Sequence, residues 1–152
     1  MMRLALYQPD IAGNLGTSMR LCACLGVGLD IIEPCAFPLG DKQLKRAAMD
    51  YAGAIDAVRH IDWAHFRDAA KASGNRIVLM SSKAETTLFE TEFREGDIIL
   101  MGSESSGVPE SVAREAGLAT RIEMQPGMRC LNVAVAAGIA LGEALRQTRY
   151  RK

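Results

Sequence analysis

The sequence predicts an α/β fold with a mainly parallel sheet and flanking helices. Short apolar segments alternate with helix-like segments along the chain, which is the order of strand–helix–strand units. Two apolar runs, RIVLMSS at residues 76–82 and DIILM at residues 97–101, are continuous, as expected of parallel strands that are covered on both faces. Because no linker, repeat or low-complexity stretch interrupts this order, we expect a single domain over residues 1–152.

The N-terminal half begins with RLALY at residues 3–7, which predicts a strand. Asn14 is suited to cap a helix over residues 15–25, which the glycines at positions 26 and 28 would end. LDIIE at residues 29–33 predicts the next strand. The further elements expected are a short basic helix over residues 41–48, a strand over residues 54–58, and a helix that Asp62 caps and that runs to Ala72.

In the C-terminal half, a helix is predicted to open at VPE, residues 108–110. A proline near the first position and an acidic residue in the first turn both favour helix initiation there. Residues 121–124 predict a last strand, and residues 131–149 predict a closing helix. In that helix, small residues recur at every fourth position and permit close helix packing, either within the domain or between subunits. They are Ala134, Gly138 and Gly142.

Composition excludes several classes of protein. The 18 basic and 18 acidic residues balance, so any nucleic acid must bind to local basic patches. The best candidates for such patches are Lys42, Lys45, Arg46, Arg146, Arg149, Arg151 and Lys152. No apolar stretch approaches the roughly 20 residues of a membrane span, and no signal peptide is visible.

The cysteines and histidines do not form a recognisable metal motif. The chain has four cysteines and no CxxC motif; the cysteines are Cys22, Cys24, Cys35 and Cys130. We therefore expect buried, unpaired thiols in a reducing cytosol and no metal site. His60 and His65 lie in a different region of the chain. We expect both histidines on the surface.

Three glycine-bearing polar loops, each between a strand end and a helix start, carry the candidate site. They are PDIAGNLGTSMR (residues 9–20), MGSESSGVPE (residues 101–110) and EMQPGMRCLN (residues 123–132). In open parallel sheets, ligands bind beyond the carboxyl ends of the strands, where glycines and helix starts offer backbone N–H groups. None of these loops is a phosphate loop, a dinucleotide fingerprint or a nucleophile elbow. The candidate reactive residues are Asn14, Arg20, Glu104, Arg129 and Asn132.

Each of these side chains also has an ordinary structural role open to it. Arg20 faces either a ligand or solvent. Glu104 either accepts hydrogen bonds within a site or caps a turn, and Asn132 is suited to cap the closing helix. Arg129 either binds a phosphate group or lies in water.

The three loops resemble the signature motifs of the SPOUT methyltransferases. The motifs are N-x-G-x-x-x-R at residues 14–20, GSESSGVP at residues 102–109 and IEMQPGMRCLNVAVAAGIAL at residues 122–141. Within that superfamily the likeness is to the small tRNA (cytidine/uridine-2′-O)-methyltransferases. LALYQPDI, MRLCACLGVGLDIIEP and DKQLKRAAMDY fit this group as well, so the resemblance covers nearly the whole chain.

The resemblance implies methylation of the ribose 2′-hydroxyl at the wobble position of tRNA, position 34, on C or U. It implies S-adenosylmethionine as the cofactor, S-adenosylhomocysteine as the product, and a C-terminal trefoil knot, which the usual rule against knotted chains would exclude. It implies cofactor contacts at Met80, Gly102, Ile122, Met124, Cys130 and Leu131. It implies that Arg20, Asn14, Glu104 and Asn132 act in catalysis.

The resemblance also implies a cytoplasmic homodimer that binds tRNA, uses no metal and does not enter a membrane. It favours the small-residue stripe of the closing helix as the seam between subunits. Cys130 stands where the family usually has a serine. Two alternatives remain: a SPOUT 2′-O-methyltransferase that acts on another RNA such as ribosomal RNA, and a non-catalytic module that binds RNA or cofactor.

Overall fold

The computed structural model describes residues 1–40, 42, 46, 51 and 53–150. Within these residues, six strands form one sheet in the order β3-β2-β1-β5-β4-β6, and each neighbouring pair is parallel. The strands are β1 (Arg3–Tyr7), β2 (Gly28–Ile32), β3 (Ala57–His60), β4 (Ile77–Met80), β5 (Ile98–Met101) and β6 (Leu118–Thr120). The predicted α/β class with a parallel sheet is confirmed.

Helices cover both faces of the sheet and separate its core into two layers. The helices are α1 (Ala12–Leu25), α2 (Trp63–Ala72), α3 (Glu110–Glu115) and α4 (Val133–Thr148), with a short 3-10 helix at Leu88–Glu90. Because side chains alternate across a strand, Leu4 and Leu6 of β1 pack with α1 and α4. Ala5 and Tyr7 pack with α2 and α3 on the opposite face. The continuous apolar runs thus mark strands that are buried on both sides.

The helix ends follow the local sequence with one exception. Asp62 caps α2 by accepting from the His65 N–H, and Gly26 ends α1 in the left-handed conformation, at φ +62°. The prediction that Asn14 caps α1 was wrong. The helix begins at Ala12 with Ile11 at the N-cap position, so the amide of Asn14 is available for contacts with other loops.

The last strand lies earlier than predicted. β6 ends at Thr120, and the only further pairing of the next segment in the described part of the chain is a parallel bridge between Arg121 and Thr87. Ile122 and Met124 line a cavity, so their apolar alternation marks a cavity wall and the prediction of a strand over residues 121–124 was wrong. The predicted helix over residues 41–48 lies outside the described residues, except for Lys42 and Arg46, which are helical and exposed.

The expectation that both histidines lie on the surface was wrong for His60. Its ring is buried and its Nε2 lies 2.8 Å from the carboxylate of Asp30, which is itself buried. Arg3 donates to the same carboxylate from Nε at 2.7 Å. A buried charge requires such partners, and they come from β1 and β3, on either side of Asp30. His65 is exposed, as expected.

The four cysteines are unpaired, but only Cys22 is fully buried. Burial raises its thiol pKa to about 12, and partial burial raises that of Cys35 to about 11. Cys24 and Cys130 are exposed, contrary to the expectation of buried thiols. Among the described residues, no group of three or more histidine, cysteine, aspartate and glutamate side chains is arranged to hold a metal ion. No helix in that part of the chain has the length and apolarity needed to cross a membrane.

Candidate active site

The candidate site lies where the strand order changes direction. The chain runs outward from β1 through β2 to β3, and later places β5 on the other side of β1. Ligands of open α/β sheets bind at such a switch point, outside the carboxyl ends of the strands. Leu6 of β1 is in register with Met101 of β5, so the loops that follow these two strands leave the sheet side by side.

A cavity of about 900 Å³ opens beside these loops. All of the residues predicted to contact the cofactor line it, together with three of the four predicted catalytic residues. The first group is Met80, Gly102, Ile122, Met124, Cys130 and Leu131, and the second is Asn14, Glu104 and Asn132. The three loops singled out in the sequence therefore meet at one cavity. The role of each residue towards a cofactor stays a prediction.

A chain of hydrogen bonds joins one side chain from each loop. The Nδ2 of Asn132 donates to the Oδ1 of Asn14 over 3.0 Å, and the Nδ2 of Asn14 donates to Glu104 Oε1 over 3.2 Å. Asn132 also caps α4, since its Oδ1 accepts from the backbone N–H groups of Ala134 and Val135 at 2.9 and 3.3 Å. We call Asn132, Asn14 and Glu104 the amide relay.

The orientation of both amides in the relay follows from the backbone. The N–H groups at the start of α4 can only donate, so the atom of Asn132 that they meet must be its oxygen. Its nitrogen then faces Asn14, whose oxygen must accept the bond. That leaves the Asn14 nitrogen to donate to the carboxylate of Glu104. The relay thus has one consistent set of donors, which runs from the α4 N-terminus to Glu104.

Arg20 and Arg129 lie apart from the relay. Arg20 is exposed on α1, and its guanidinium carbon lies 5.6 Å from the centroid of the Tyr51 ring, a cation–π distance. Arg129 is exposed in the third loop. Neither side chain is among the described residues that line the cavity. In a single chain, the structure therefore brings together the predicted catalytic residues except Arg20.

The basic tail predicted as an RNA patch is partly engaged within the chain. Arg146 pairs with Glu143 on the same helix, at 2.7 Å. Arg149 donates to the carbonyl oxygens of Leu25 and Gly26 at the end of α1, at 2.6 and 3.2 Å. Lys45, Arg151 and Lys152 lie outside the described residues.

One polar side chain at the switch point was missed in the sequence. Asp10 follows β1 and accepts hydrogen bonds from Ser105 and Ser103 in the loop after β5. These bonds, with the Ser105 side chain first, hold the pKa of its carboxyl below the usual value. The available signal was an acidic residue directly beyond the carboxyl end of a parallel strand. Nearby Gln8 has φ +41°, an uncommon conformation for a non-glycine residue that is found more often at functional sites.

The chemistry of the residues that line the cavity fits an S-adenosyl group. At Gly102, a Cβ atom would lie 2.7 Å from Gly107 Cα, so only glycine lets the second loop fold back this closely at the cavity wall. Ile122 and Leu131 offer apolar surface, which fits an adenine ring. Lys83 and Glu110 add charged groups to the lining, which fit the carboxylate and amino group of an amino acid.

Comparison with known proteins gives one consistent match. The model of a family described as the SpoU rRNA Methylase family matches residues 1–142. A curated protein of Beijerinckia indica, named tRNA (cytidine(34)-2′-O)-methyltransferase, is 52% identical over 144 residues, which are 95% of this chain and 90% of that protein. A protein of the same name from Escherichia coli is 35% identical over 152 residues, which are 99% of this chain and 96% of that protein.

Solved structures agree with this match. One, described as "Structural insights into the 2-OH methylation of C/U34 on tRNA", superposes with a TM-score of 0.89 at 42% identity and covers 97% of this chain and 95% of that chain. Another, an AdoMet-bound rRNA methyltransferase from Sinorhizobium meliloti, gives a TM-score of 0.84 at 30% identity. It covers 95% of this chain but only 56% of the other, so that protein has a large part with no counterpart here.

Proposed function

Because the chain belongs to the SpoU methylase family, we propose that it methylates the 2′-hydroxyl of the ribose at position 34 of tRNA, on C or U, with S-adenosylmethionine as the methyl donor. The single observation that carries this proposal is the amide relay, which joins the three family motifs around one cavity. Relatives that match nearly end to end and bear the name of this activity support the choice of substrate.

The cofactor site is proposed at the cavity, with the adenine among Met80, Ile122 and Leu131. Gly102, Met124 and Cys130 would contact the cofactor largely through backbone atoms. When bound, S-adenosylmethionine supplies an electrophilic methyl group. The contribution of the protein is then to hold the ribose hydroxyl in line with that group and to exclude competing geometries.

The amide relay of Asn14, Glu104 and Asn132 is proposed to hold the three loops in place where the ribose would bind. Glu104 Oε1 takes the Asn14 amide, and a carboxylate has further lone pairs that can accept from a ribose hydroxyl. The relay ends on the first N–H groups of α4, so a shift of any of the three loops would be transmitted to the others. Positioning of this kind has large effects on rate, because small displacements remove near-attack alignment.

Arg20 is proposed to orient the ribose or its phosphate. An arginine stays protonated in proteins, so Arg20 does not act as the base. Its positive charge favours the negative charge that develops on the 2′-oxygen as the hydroxyl proton leaves. Arg20 lies six residues after Asn14, about 9 Å further along the helix axis.

A homodimer is proposed, with α1 and α4 at the interface. The small-residue stripe is only partly covered within the chain: Ala134 is buried and a Cβ at Gly138 would meet Leu21 of α1 at 3.9 Å, whereas Gly142 is exposed and a Cβ there would meet no atom of the described residues within 4 Å. Exposed apolar side chains lie on the same face of α4 as Gly142, with Val135 52% and Ile139 38% exposed, because residues three and four positions apart are neighbours on a helix surface. A contiguous apolar face of this kind marks an interaction surface.

The proposed organisation is one domain over residues 1–152, with a C-terminal trefoil knot, acting in the cytoplasm where tRNA is modified. For the knot, the chain after β6 would have to pass through the connection between β4 and β5. Contacts at that connection support this: the Leu88 N–H donates to the Arg121 carbonyl at 2.7 Å, and the Arg121 N–H donates to the Thr86 carbonyl at 3.0 Å.

One experiment tests the activity and its alternatives together. The protein is incubated with labelled S-adenosylmethionine and either total tRNA or ribosomal RNA from a strain that lacks the gene, and any modified nucleotide is mapped. We expect label on the ribose at position 34 of tRNA. Label on ribosomal RNA alone would establish the alternative substrate. If neither RNA is labelled although the cofactor binds, the non-catalytic module is the correct interpretation.

A further inference from the structure

Asp10 links the first two motif loops through its side chain. Its Oδ2 accepts from the Ser103 hydroxyl at 2.8 Å and from the Ser105 backbone N–H at 2.9 Å. The Ser105 hydroxyl donates to the same oxygen. The two serines lie 93 and 95 positions after Asp10 in the chain. One carboxylate oxygen thus accepts hydrogen bonds from a loop that follows a different strand.

The backbone of Asp10 completes a reciprocal contact. Its N–H donates to Glu104 Oε2 at 2.6 Å, and Glu104 lies between the two serines that donate to the Asp10 side chain. Ser103 and Ser105, which flank Glu104, therefore donate to the Asp10 side chain, and Glu104 accepts from the Asp10 backbone. This geometry fixes the direction in which the Glu104 side chain points.

The loop that Asp10 holds is a tight turn at the cavity wall. Ser103 and Gly107 exchange two backbone hydrogen bonds, at 3.0 and 2.8 Å, and their closure leaves residues 104–106 as a protruding tip. At that tip, Ser105 is exposed. A tip closed only at its base can rotate about that base, whereas a contact at Ser105 holds it at a second point.

We propose that Asp10 is a positioning residue of the active site, whose carboxylate holds the tip of the second motif loop so that Glu104 reaches Asn14 and the cavity keeps its shape. The effect of Asp10 on the cofactor and ribose site rests on the proposed function. The contact between Asp10 and the second motif loop does not. Asp10 acts through Glu104, with which it is in direct contact, and it is not among the described residues that line the cavity.

A carboxylate suits this role better than a neutral side chain. Hydrogen bonds to a charged acceptor are about twice as strong as neutral ones, and a carboxylate oxygen offers enough lone pairs for several donors. Because the pKa of Asp10 is lowered by Ser105 and Ser103, the charged form persists to below the ordinary value of about 4. The contact is therefore fully formed at neutral pH and is lost only as the pH falls through the lowered pKa.

Hydrogen–deuterium exchange of the unliganded protein tests the loop directly. Asp10→Ala removes all three acceptor contacts, and Asp10→Asn keeps an acceptor oxygen but loses the charge. We expect the Ser105 amide to exchange at least about tenfold faster in Asp10→Ala, with Asp10→Asn between it and the parent. Amides of α2 should keep their parental rates. Asp68→Ala is the matched control, because that aspartate is 68% exposed and its ion pair among the described residues is with Arg67 on the same helix.

Binding of S-adenosylhomocysteine, measured by calorimetry, tests the link to the site. We expect a dissociation constant about tenfold higher in Asp10→Ala, which corresponds to roughly 1.4 kcal/mol, at an unchanged melting temperature. Unchanged Ser105 exchange would overturn the proposal. Faster exchange throughout the protein with parental binding would also overturn it, since Asp10 would then be a general structural residue. If the parent itself fails to bind S-adenosylhomocysteine, the proposed function fails, and the exchange result still decides whether Asp10 holds the loop.

Discussion

The side-chain nitrogen of Asn132 donates to the side-chain oxygen of Asn14 over 3.0 Å, although the two residues are 118 positions apart in the chain. Asn132 uses its other polar atom to cap α4. One amide therefore does two separable things: it starts a helix and it joins two loops of the proposed active site. Substitutions at this position can remove one role without the other.

Asn132→Asp should separate these roles from each other. Aspartate is as good an N-cap as asparagine, so the unfolding free energy should change little. It has no N–H to donate, and its oxygen would face the Asn14 oxygen, so methyl transfer should fall at least about tenfold, a cost of roughly 1.4 kcal/mol. Asn132→Ala should lose transfer and also about 1 kcal/mol of stability. Thermal unfolding and single-turnover transfer measure the two effects. Parental activity in Asn132→Asp would show that the relay is not needed.

Alkylation of the cysteines should report directly on the cofactor site. Only a thiolate reacts readily with iodoacetamide. Cys22 is buried with its pKa raised to about 12, and the pKa of Cys35 is raised to about 11, so both should resist modification at pH 8. The exposed thiols of Cys24 and Cys130 should react.

The two exposed cysteines differ in position, which makes one a control for the other. Cys130 lines the cavity, and Cys24 on α1 does not. Saturating S-adenosylhomocysteine should therefore slow alkylation of Cys130 and leave Cys24 unchanged, as followed by peptide mass spectrometry. Equal rates at Cys130 with and without the ligand would mean that the third loop is not a wall of the cofactor site.

The strands were predictable because their determinants are local. A buried parallel strand needs apolar side chains on both faces, and β4 and β5 show that pattern in four consecutive residues each. β6 was missed because its three residues, LAT, do not form such a run, while the following apolar residues belong to the cavity wall. The three loops were located correctly, because the position of a loop after a strand is also a local feature.

The details of the site were not predictable, because they depend on partners far along the chain. Asn14 was predicted to be a site residue and also a helix cap; it is not the cap, and its side-chain partners, Glu104 and Asn132, lie 90 and 118 positions away. Asp10 was overlooked because its partners are in the loop after β5. His60 was expected on the surface. Its contact with Asp30 becomes apparent only when β2 and β3 are known to be neighbours in the sheet.

Replacement of Ser18 by alanine should stabilise the fold. Its hydroxyl is fully buried on α1 and has no hydrogen-bond partner among the described residues. An unsatisfied buried hydroxyl costs about 1–3 kcal/mol, and alanine is also the better helix former. We expect Ser18→Ala to raise the unfolding free energy by about 1 kcal/mol in chemical denaturation. Thr17→Ala is the control on the same helix, because the Thr17 hydroxyl is exposed and already bonded to Gly13. A less stable Ser18→Ala would mean that the hydroxyl has a partner in solution.

A charge on the exposed face of α4 should dissociate the proposed dimer. Val135 and Ile139 are one helical turn apart and 52% and 38% exposed. In a two-fold symmetric interface the same patch meets itself, so Ile139→Glu places two carboxylates in an apolar contact. Sedimentation velocity at micromolar concentration should show monomers for Ile139→Glu and dimers for the parent. Ile61→Glu, at a site that is 73% exposed next to β3, should remain dimeric. A parent that sediments as a monomer yet turns over would contradict the proposed dimer.

Arg20→Ala should abolish methyl transfer while binding of S-adenosylhomocysteine persists. The residue does not line the cavity, so the dissociation constant of the ligand should stay parental. Loss of a positive charge near a developing oxyanion costs roughly a hundredfold or more in rate. Arg20→Lys keeps the charge without the planar fork, so it should retain part of the activity if charge dominates and little if bidentate orientation dominates. Arg114→Ala, an exposed change on α3 at the opposite face of the sheet, should leave both quantities unchanged. Normal turnover in Arg20→Ala would remove Arg20 from the mechanism and leave orientation of the ribose to the amide relay.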